Sequence, residues 1–377
     1  MINKLIEKKV LARIGQSSVI INLQKTRKML AYRVSFKNFI KKHTKLNLRV
    51  SSSYSKRIDE YWKNHYGKKV NKYWHAVCSS ITGIEEERYI PNDIFAFEIL
   101  PHFNREKMYY VYSDKNRADI FLDGYNAPRT VYKKMNGYYY FDKYQMTTMD
   151  IAREHLYAND KTMFIKPSFL AAGEMVAPLN IKNKKLFLNN KPASIEEIDE
   201  LYGDDYIIQE KIEQHPLMSE VYPHSLNTLR MVTLRLKNTT HLLFISAKFG
   251  NGGNKIDNIS AGGLQCRVFE NGQLDKIATD KYGRIYDKHP YTRTRFQDIT
   301  IPNMNKFKDH VIELHKCHPY FNYACWDIAV GSNAEPVFVE TNFRGGDIML
   351  FQLISGPLFG DLTDAILENI RDNRKNK

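Results

Sequence analysis

Near the carboxyl end two apolar strands enclose a short polar turn, and each strand carries a carboxylate in its interior. The first reads Tyr-Ala-Cys-Trp-Asp-Ile-Ala-Val (323–330) and the second Glu-Pro-Val-Phe-Val-Glu-Thr-Asn (335–342), with a turn over Gly331–Ala334. Side chains alternate between the faces of a strand, and residues opposite each other across a hairpin share a face. Folding about Ser332 and Asn333 sets Asp327 opposite Glu340, and Asn342, two residues on, points the same way. Three hard oxygen donors on one sheet face suit magnesium, which takes one or two carboxylates and completes its shell with phosphates and water. The plain alternative is an acidic pair on an exposed hairpin.

Cations recur where such a site needs them. The runs Thr-Leu-Arg-Met-Val-Thr-Leu-Arg-Leu (228–236) and His-Leu-Leu-Phe-Ile-Ser-Ala-Lys-Phe (241–249) flank the polar residues 237–240 and read as a second antiparallel hairpin. Its centre brings Lys248 within one register step of Arg230, and two cations inside a sheet demand an anion. Lys115 and Lys166 end short apolar segments, the second followed by Pro167, and each offers a point charge to phosphate unless it is an ordinary solvated lysine. Residues 206–212 form a strand that breaks into Glu-Gln-His-Pro (213–216). Such a break suits a hinge where backbone groups and Gln209 meet a planar base, or a simple linker between domains.

The 377 residues allow two or three subdomains with a real core. No run approaches the roughly 20 apolar residues of a membrane span, and charge interrupts the amino terminus too often for a secretory signal, so a cytoplasmic location is expected. Cys78, Cys266, Cys317 and Cys325 are scattered and read as reduced core thiols, while His289, His310, His315 and His318 match no zinc pattern. The net charge of +14 raises the question of nucleic acid. From Met1 to Lys56, however, 14 lysines and arginines face one acid, Glu7, and the remainder of the chain is nearly balanced at +1. No nucleic acid is therefore expected as a partner. The excess belongs to an arm that either lies on an anionic membrane face or a protein partner, or is a solvated helical face bordering Val10, Ile14, Phe36 and Ile40.

Composition divides the chain into the basic arm (1–55, closed by Ser51–Ser53), a mixed α/β subdomain (56–160), a small subdomain (161–215) and a larger one (216–377). Ser194 with Glu197 has capping-box spacing, and a helix is expected over about 303–316.

The order of these parts resembles the ATP-grasp superfamily, and specifically the sugar-transfer associated ATP-grasp family. The resemblance runs from about Tyr61 to the carboxyl end. It rests on Glu-Gln-His-Pro (213–216) leading into Ser-Leu-Asn-Thr-Leu-Arg-Met-Val-Thr (225–233), then Asp-Asn-Ile-Ser-Ala-Gly-Gly (257–263), Trp-Asp-Ile-Ala-Val and Val-Glu-Thr-Asn. It implies an α+β ATP-grasp fold holding ATP between two α+β subdomains, with the basic arm as an extension. Lys115 and Lys166 resemble the phosphate lysines, Gln209, Glu210, Lys211 and Ile212 the adenine hinge, and His215 a ribose neighbour. Arg230 and Lys248 would face the transferred phosphoryl group, Asp327, Glu340 and Asn342 would hold one or two magnesium ions, Asn258, Gly262 and Gly263 would border the acceptor, and Arg344 would take a substrate carboxylate.

Two features depart from the family pattern. The loop Ser168–Gly173 has one glycine where a glycine-rich cover is usual, and Lys248 stands where an arginine is expected. The activity implied is ligation of a small-molecule carboxylate to an amine or sugar acceptor in bacterial surface polysaccharide synthesis, in the cytoplasm or at the inner membrane face. Glu340→Ala or Asp327→Ala would then abolish turnover with the fold intact. The rivals are a kinase-like phosphotransferase and a catalytically weak docking module.

Overall fold

The computed structural model describes residues 18–46, 48–158, 160–169, 173, 175–346 and 348–375. Val10 and Ile14 of the arm, and Leu170, Ala171 and Ala172 of the glycine-poor loop, lie outside the described residues. The chain forms two compact units, one from residues 1–102 with 361–377 and one from 103–360. No helix among the described residues is long and apolar enough to cross a membrane.

The first unit is helical where described. Helix α1 (Ser18–His43) comes from the basic arm, and α2 (Ser52–Tyr66) and α3 (Tyr73–Thr82) follow. Ser51, expected to close the arm, is instead the N-cap of α2: its hydroxyl accepts from the Tyr54 N–H at 3.1 Å. Gly67, at φ 82°, ends the same helix in the left-handed conformation that glycine adopts without strain. Tyr54, Ile58, Trp62 and Tyr66 recur every four residues and form the buried face. The indole N–H of Trp62 reaches the Glu87 carbonyl at 2.9 Å and the Tyr66 hydroxyl reaches Glu98 at 2.6 Å, so the polar ends of these rings are satisfied. The terminal helix Thr363–Lys375 matches this four-residue spacing, pairing Asp364 with Tyr61 and Glu368 with His65.

Residues 56–160 do mix helices with strands, but the two are segregated along the chain. Residues 52–121 are helical with irregular connections, and strands begin only at Thr130. Apolar runs too short to show a period, such as 94–100 and 108–112, read equally well as strand or helix. The boundary placed at 55 falls inside α2, and residues 361–377 belong with the first unit.

The second unit contains two antiparallel sheets. The first uses β1 (Thr130–Met135), β2 (Tyr138–Tyr140), β3 (Met146–Thr147), β4 (Thr162–Pro167), β5 (Ala177–Lys182), β6 (Lys185–Leu188), β7 (Lys191–Ala193) and β8 (Tyr206–Glu210), in the order β3-β2-β1-β8-β4-β5-β6-β7. Because β8 pairs with β1 on one edge and β4 on the other, the boundary expected at 160 falls within a single sheet. Helices α4 (Met149–Tyr157) and α5 (Ile195–Tyr202) cover one face through Ala152, Leu156, Ile195 and Ile198. The capping box of α5 forms as its spacing predicts, with Ser194 N–H to Glu197 at 2.7 Å and Glu197 N–H to Ser194 at 3.1 Å.

After the short helix α6 (Pro216–Val221), the second sheet uses β9 (Thr228–Leu236), β10 (Thr239–Phe249), β11 (Leu264–Val268), β12 (Leu274–Thr279), β13 (Ile285–Tyr286), β14 (Tyr323–Val330) and β15 (Pro336–Asn342), in the order β13-β12-β11-β10-β9-β14-β15. Helix α7 (Met304–Lys316) buries Phe307, Val311 and Leu314 in a core with Leu229, Met231, Ala247, Trp326 and Ile328 from one sheet face. Alternation sends Arg230, Lys248 and Asp327 to the other face.

Two bulges set which side chains share that face. Near the turn the β14–β15 hairpin pairs Val330 with Pro336 and Ile328 with Phe338; Val339 is then extra, and Asp327 pairs with Glu340. In the β9–β10 hairpin Leu243 is extra, which places Ser246 opposite Arg230 and Lys248 opposite Thr228. The register step expected between Lys248 and Arg230 would have put them on opposite faces. The hairpin turns one residue earlier than expected, and the bulge then leaves Lys248 two steps from the residue opposite Arg230, so both point the same way.

Candidate functional site

Three adjacent strands carry one charged row. Glu340 on β15 lies opposite Asp327 on β14, and Asp327 lies opposite Arg230 on β9. Arg230 donates twice to Asp327, from Nε at 2.6 Å and from Nη2 at 2.8 Å, a forked pair that fixes both groups. Lys248 Nζ stands 3.2 Å from the same carboxylate and 3.7 Å from Asp257. Burial alone would raise the Asp327 pKa, but Arg230 and then Lys248 outweigh it and hold the group down at about 2. Asp257 goes the other way: burial raises it, with Asp327 adding to the rise and Lys248 opposing.

Asn342 extends the row, its Nδ2 lying 3.3 Å from Glu340 and 3.4 Å from Asp327. The amide thus turns its nitrogen, not the expected oxygen, toward the acids. A half-turn about its last bond would exchange the two atoms. No group of three or more His, Cys, Asp or Glu side chains gathers among the described residues as a metal cluster. Two carboxylates and an amide fit magnesium, which completes its shell with phosphate and water, and do not fit zinc. Of the two acids, Asp327 has both oxygens engaged by cations, so Glu340 is the better placed to accept a divalent ion.

The first sheet supplies the facing wall. Lys166 on β4 donates to Gln209 Oε1 at 3.0 Å, and Gln209 Nε2 reaches the Pro128 carbonyl at 3.4 Å. Gln209 thus holds Lys166 in place while bordering the cleft. Burial lowers the Lys166 pKa from 10.5 to about 8, Glu340 opposing and Lys115 adding to the fall. Lys115 sits in a 3-10 turn that Asp114 caps, and its N–H donates to the Ser168 carbonyl at 3.2 Å, tying the turn to the end of β4. Glu210 is bound by Lys161 at 2.9 Å and Lys211 by Glu213 at 2.9 Å, while their backbone N–H groups donate to the Arg129 and Thr162 carbonyls; with Ile212 they border the cleft.

These groups line one cleft of about 870 Å³. Lys115, Lys166, Gln209, Glu210, Lys211, Ile212, Arg230, Lys248, Asn258, Asp327, Glu340 and Asn342 all border it. A second cavity of about 300 Å³ shares Lys115, Lys166, Gln209 and Glu340 with the first.

Four expected residues lie elsewhere. His215 caps α6, its ring nitrogen accepting from the Leu217 N–H at 3.3 Å, because Pro216 starts a helix there. Arg344 stacks its guanidinium over the rings of Tyr109 and Tyr110, 5.5 Å from each centroid. Gly262, at φ 99°, ends a 3-10 turn, and a Cβ on Gly263 would meet the Asp257 carbonyl oxygen at 2.7 Å. Both glycines shape the loop that presents Asn258.

Sequence reasoning passed over Asp257, Gln265 and Gly346. Gln265 is buried opposite Lys248 and borders the cleft with neither amide atom partnered. Gly346 lies beside Arg230 at φ 62°, a conformation that favours glycine. Asp257 stood within a quoted motif; the other two carry no local signal. Cys78, Cys266 and Cys325 are buried free thiols, and burial raises the Cys325 pKa to about 11.

An antiparallel sheet with a carboxylate–arginine row, facing a second sheet that carries lysine, defines the class, and the chain belongs to the sugar-transfer associated ATP-grasp family, whose model matches residues 101–366. No curated protein matches it. Among solved structures, it is similar to the D-Ala:D-Ser ligase VanG from Enterococcus faecalis, with 14% identity, 68% of this chain and 60% of that one covered, and a TM-score of 0.41. The ATP-grasp ligase PsnB, complexed with a minimal precursor, gives 12% identity, coverage of 70% and 62%, and a TM-score of 0.38. A D-alanine–D-alanine ligase from Bacillus anthracis gives 12%, 70%, 69% and 0.37 in the same order. The chain spans 60% of the length of the first of these, and likeness at such scores carries no argument about activity.

The unequal burial of the two acids separates their roles in stability. Asp327→Ala leaves Arg230 and Lys248 buried without their shared anion. Urea unfolding is expected to show a loss of about 3–5 kcal/mol, against about 1 kcal/mol or less for Glu340→Ala. This revises the expectation that either substitution leaves the fold intact.

Lys166 gives a second prediction. Its ammonium charge is lost as pH rises through about 8. Nucleotide binding that uses this charge is full below that pH and weakens above it, by up to about ten-fold per pH unit. Titration of ATP across pH 7–10 is expected to show this inflection, and Lys166→Met to lack it.

Proposed function

We propose that this chain is an ATP- and magnesium-dependent ligase that joins a small-molecule carboxylate to an amine, or to a related nucleophile on a sugar, through an acyl phosphate. The observation that carries the reading is the Glu340–Asp327–Arg230 row, with Asn342 and Lys248, bordering the same cleft as Lys115 and Lys166. Separate acids and cations on two walls suit a polyphosphate that bridges them.

Magnesium held by Glu340, Asp327 and Asn342 would neutralise phosphate oxygens as charge redistributes. Lys115 and Lys166 supply point charges to the phosphate chain from the first sheet. The substrate carboxylate oxygen attacks the γ-phosphorus of ATP, the bond to the β-phosphate oxygen breaks, and ADP leaves. Arg230 and Lys248 lie at the face where the transferred group would carry its charge, already oriented by Asp327, so little rearrangement is needed at the moment of transfer. The amine then attacks the acyl carbon, the C–O bond to phosphate breaks, phosphate departs, and the amine proton passes to solvent. Positioning and charge neutralisation are the whole of the protein's contribution, and no side-chain nucleophile is required.

The family's sugar-transfer association supports an acceptor in bacterial surface polysaccharide synthesis, with the work done at the cytoplasmic side of the membrane. Product analysis tests the reaction class. Incubation with ATP, magnesium and panels of carboxylates and amino sugars is expected to yield ADP, phosphate and an amide in equal amounts. Glu340→Ala should lower the rate by at least about a hundred-fold, the scale of losing one electrostatic contact to the transition state. A phosphoester without free phosphate would replace ligation with phosphotransfer to a hydroxyl.

A further inference from the structure

We propose that α1 docks the chain on an anionic lipid surface, through the helix face that its packing leaves outward. The inference is independent of the reading of the cleft. One side of α1 is anchored: Met29 and Ile40 are buried, the Phe36 ring lies 4.3 Å from that of Trp74, and Arg33 pairs with the buried Asp93. Roughly a third of a turn round the helix from these runs a line of Leu23, Arg27, Leu30, Val34, Lys37 and Lys41, spaced alternately by four and three residues so that all six project to one side. Leu23, Leu30 and Val34 are 64%, 53% and 57% exposed, and the three basic residues between and beyond them are exposed as well.

The chemistry of this line selects the partner. Helix α1 holds seven lysines and arginines and no acid; Arg33 pairs with buried Asp93 and Lys25 faces Glu98, while Arg27, Lys37 and Lys41 of the line are exposed. Lipid phosphates pair with the basic side chains while the three aliphatics interleaved with them meet the acyl boundary, so charge supplies most of the attraction. A nucleic-acid backbone would use the charges and leave the aliphatics in water. A second copy of the same face would bring two positively charged helices together. Because the anchored side already holds α1 in place, the line is formed before any membrane is met.

The test uses the full chain in co-sedimentation with vesicles of phosphatidylcholine alone and of equal parts phosphatidylcholine and phosphatidylglycerol. The wild type is expected to pellet with the mixed vesicles and to stay in solution with the neutral ones. R27Q/K37Q/K41Q should lose on the order of a hundred-fold in partitioning, at roughly five-fold per basic residue. L23S/L30S/V34S should lose at least about ten-fold, because its aliphatics leave the acyl boundary. Circular dichroism checks that helix content is kept, and K28Q/K42Q, whose charges lie off the line, should lose less than the on-line triple. Equal partitioning to both vesicle types would overturn the proposal. So would unchanged binding of the aliphatic triple, which would mark a general polyanion site, or a dimer in light scattering that this triple abolishes, which would mark a self-contact.

Discussion

Much of the second unit's geometry turns on the forked contact between Arg230 and Asp327. Placing an ion pair on interior strands of a sheet costs desolvation of both charges, and the return comes only when geometry is good and the remaining lone pairs are met. Here the fork is near ideal in length, Lys248 approaches the same carboxylate, and Gly346 allows the backbone to close beside the guanidinium. The apolar face behind it, packed on α7, holds the strands in the one register that aligns these groups. A slip of one residue would turn the charges into the hydrocarbon core, so the core and the site stabilise the same register.

The second wall has a different electrostatic character. Lys166 is a cation in a buried setting, tethered to the neutral amide of Gln209, and its lowered pKa reports a charge short of anionic partners. On the opposite wall Asp327 is oversupplied with cations. A polyanion that brings its own divalent ion would relieve both conditions at once. The ion would give Glu340 the counter-charge that Arg230 does not supply, and the phosphates would offer anionic partners to Lys166 and to the cations gathered about Asp327. This complementarity links the resting geometry to the chemistry proposed.

Most of the candidate site was legible because strand alternation is local. Counting outward from the turn of the β14–β15 hairpin set Asp327 against Glu340, and the structure pairs them, although through a bulge at Val339 that no residue type announces. The same counting put Lys248 on the wrong face relative to Arg230, because the bulge at Leu243 is equally silent. Gln209 borders the cleft as expected but also binds Lys166, while His215 and Arg344 lie outside it with partners of their own. Lys166, a helix start and two tyrosine rings are tertiary or capping partners, and none follows from strand alternation. The helical first unit was obscured for another reason. A run such as 94–100 is too short to show a period, whereas the spacing from Tyr54 to Tyr66 does show a helical one.

The most direct measurement is isothermal titration of ATP into the wild-type chain and Glu340→Gln, each with and without magnesium. Glu340→Gln keeps the side chain's size while removing the anion that Arg230 does not already claim. Binding that strengthens with magnesium in the wild type, and loses that magnesium dependence in the variant, is the result the charged row predicts. Equal binding in all four titrations, or none in the wild type, would contradict it.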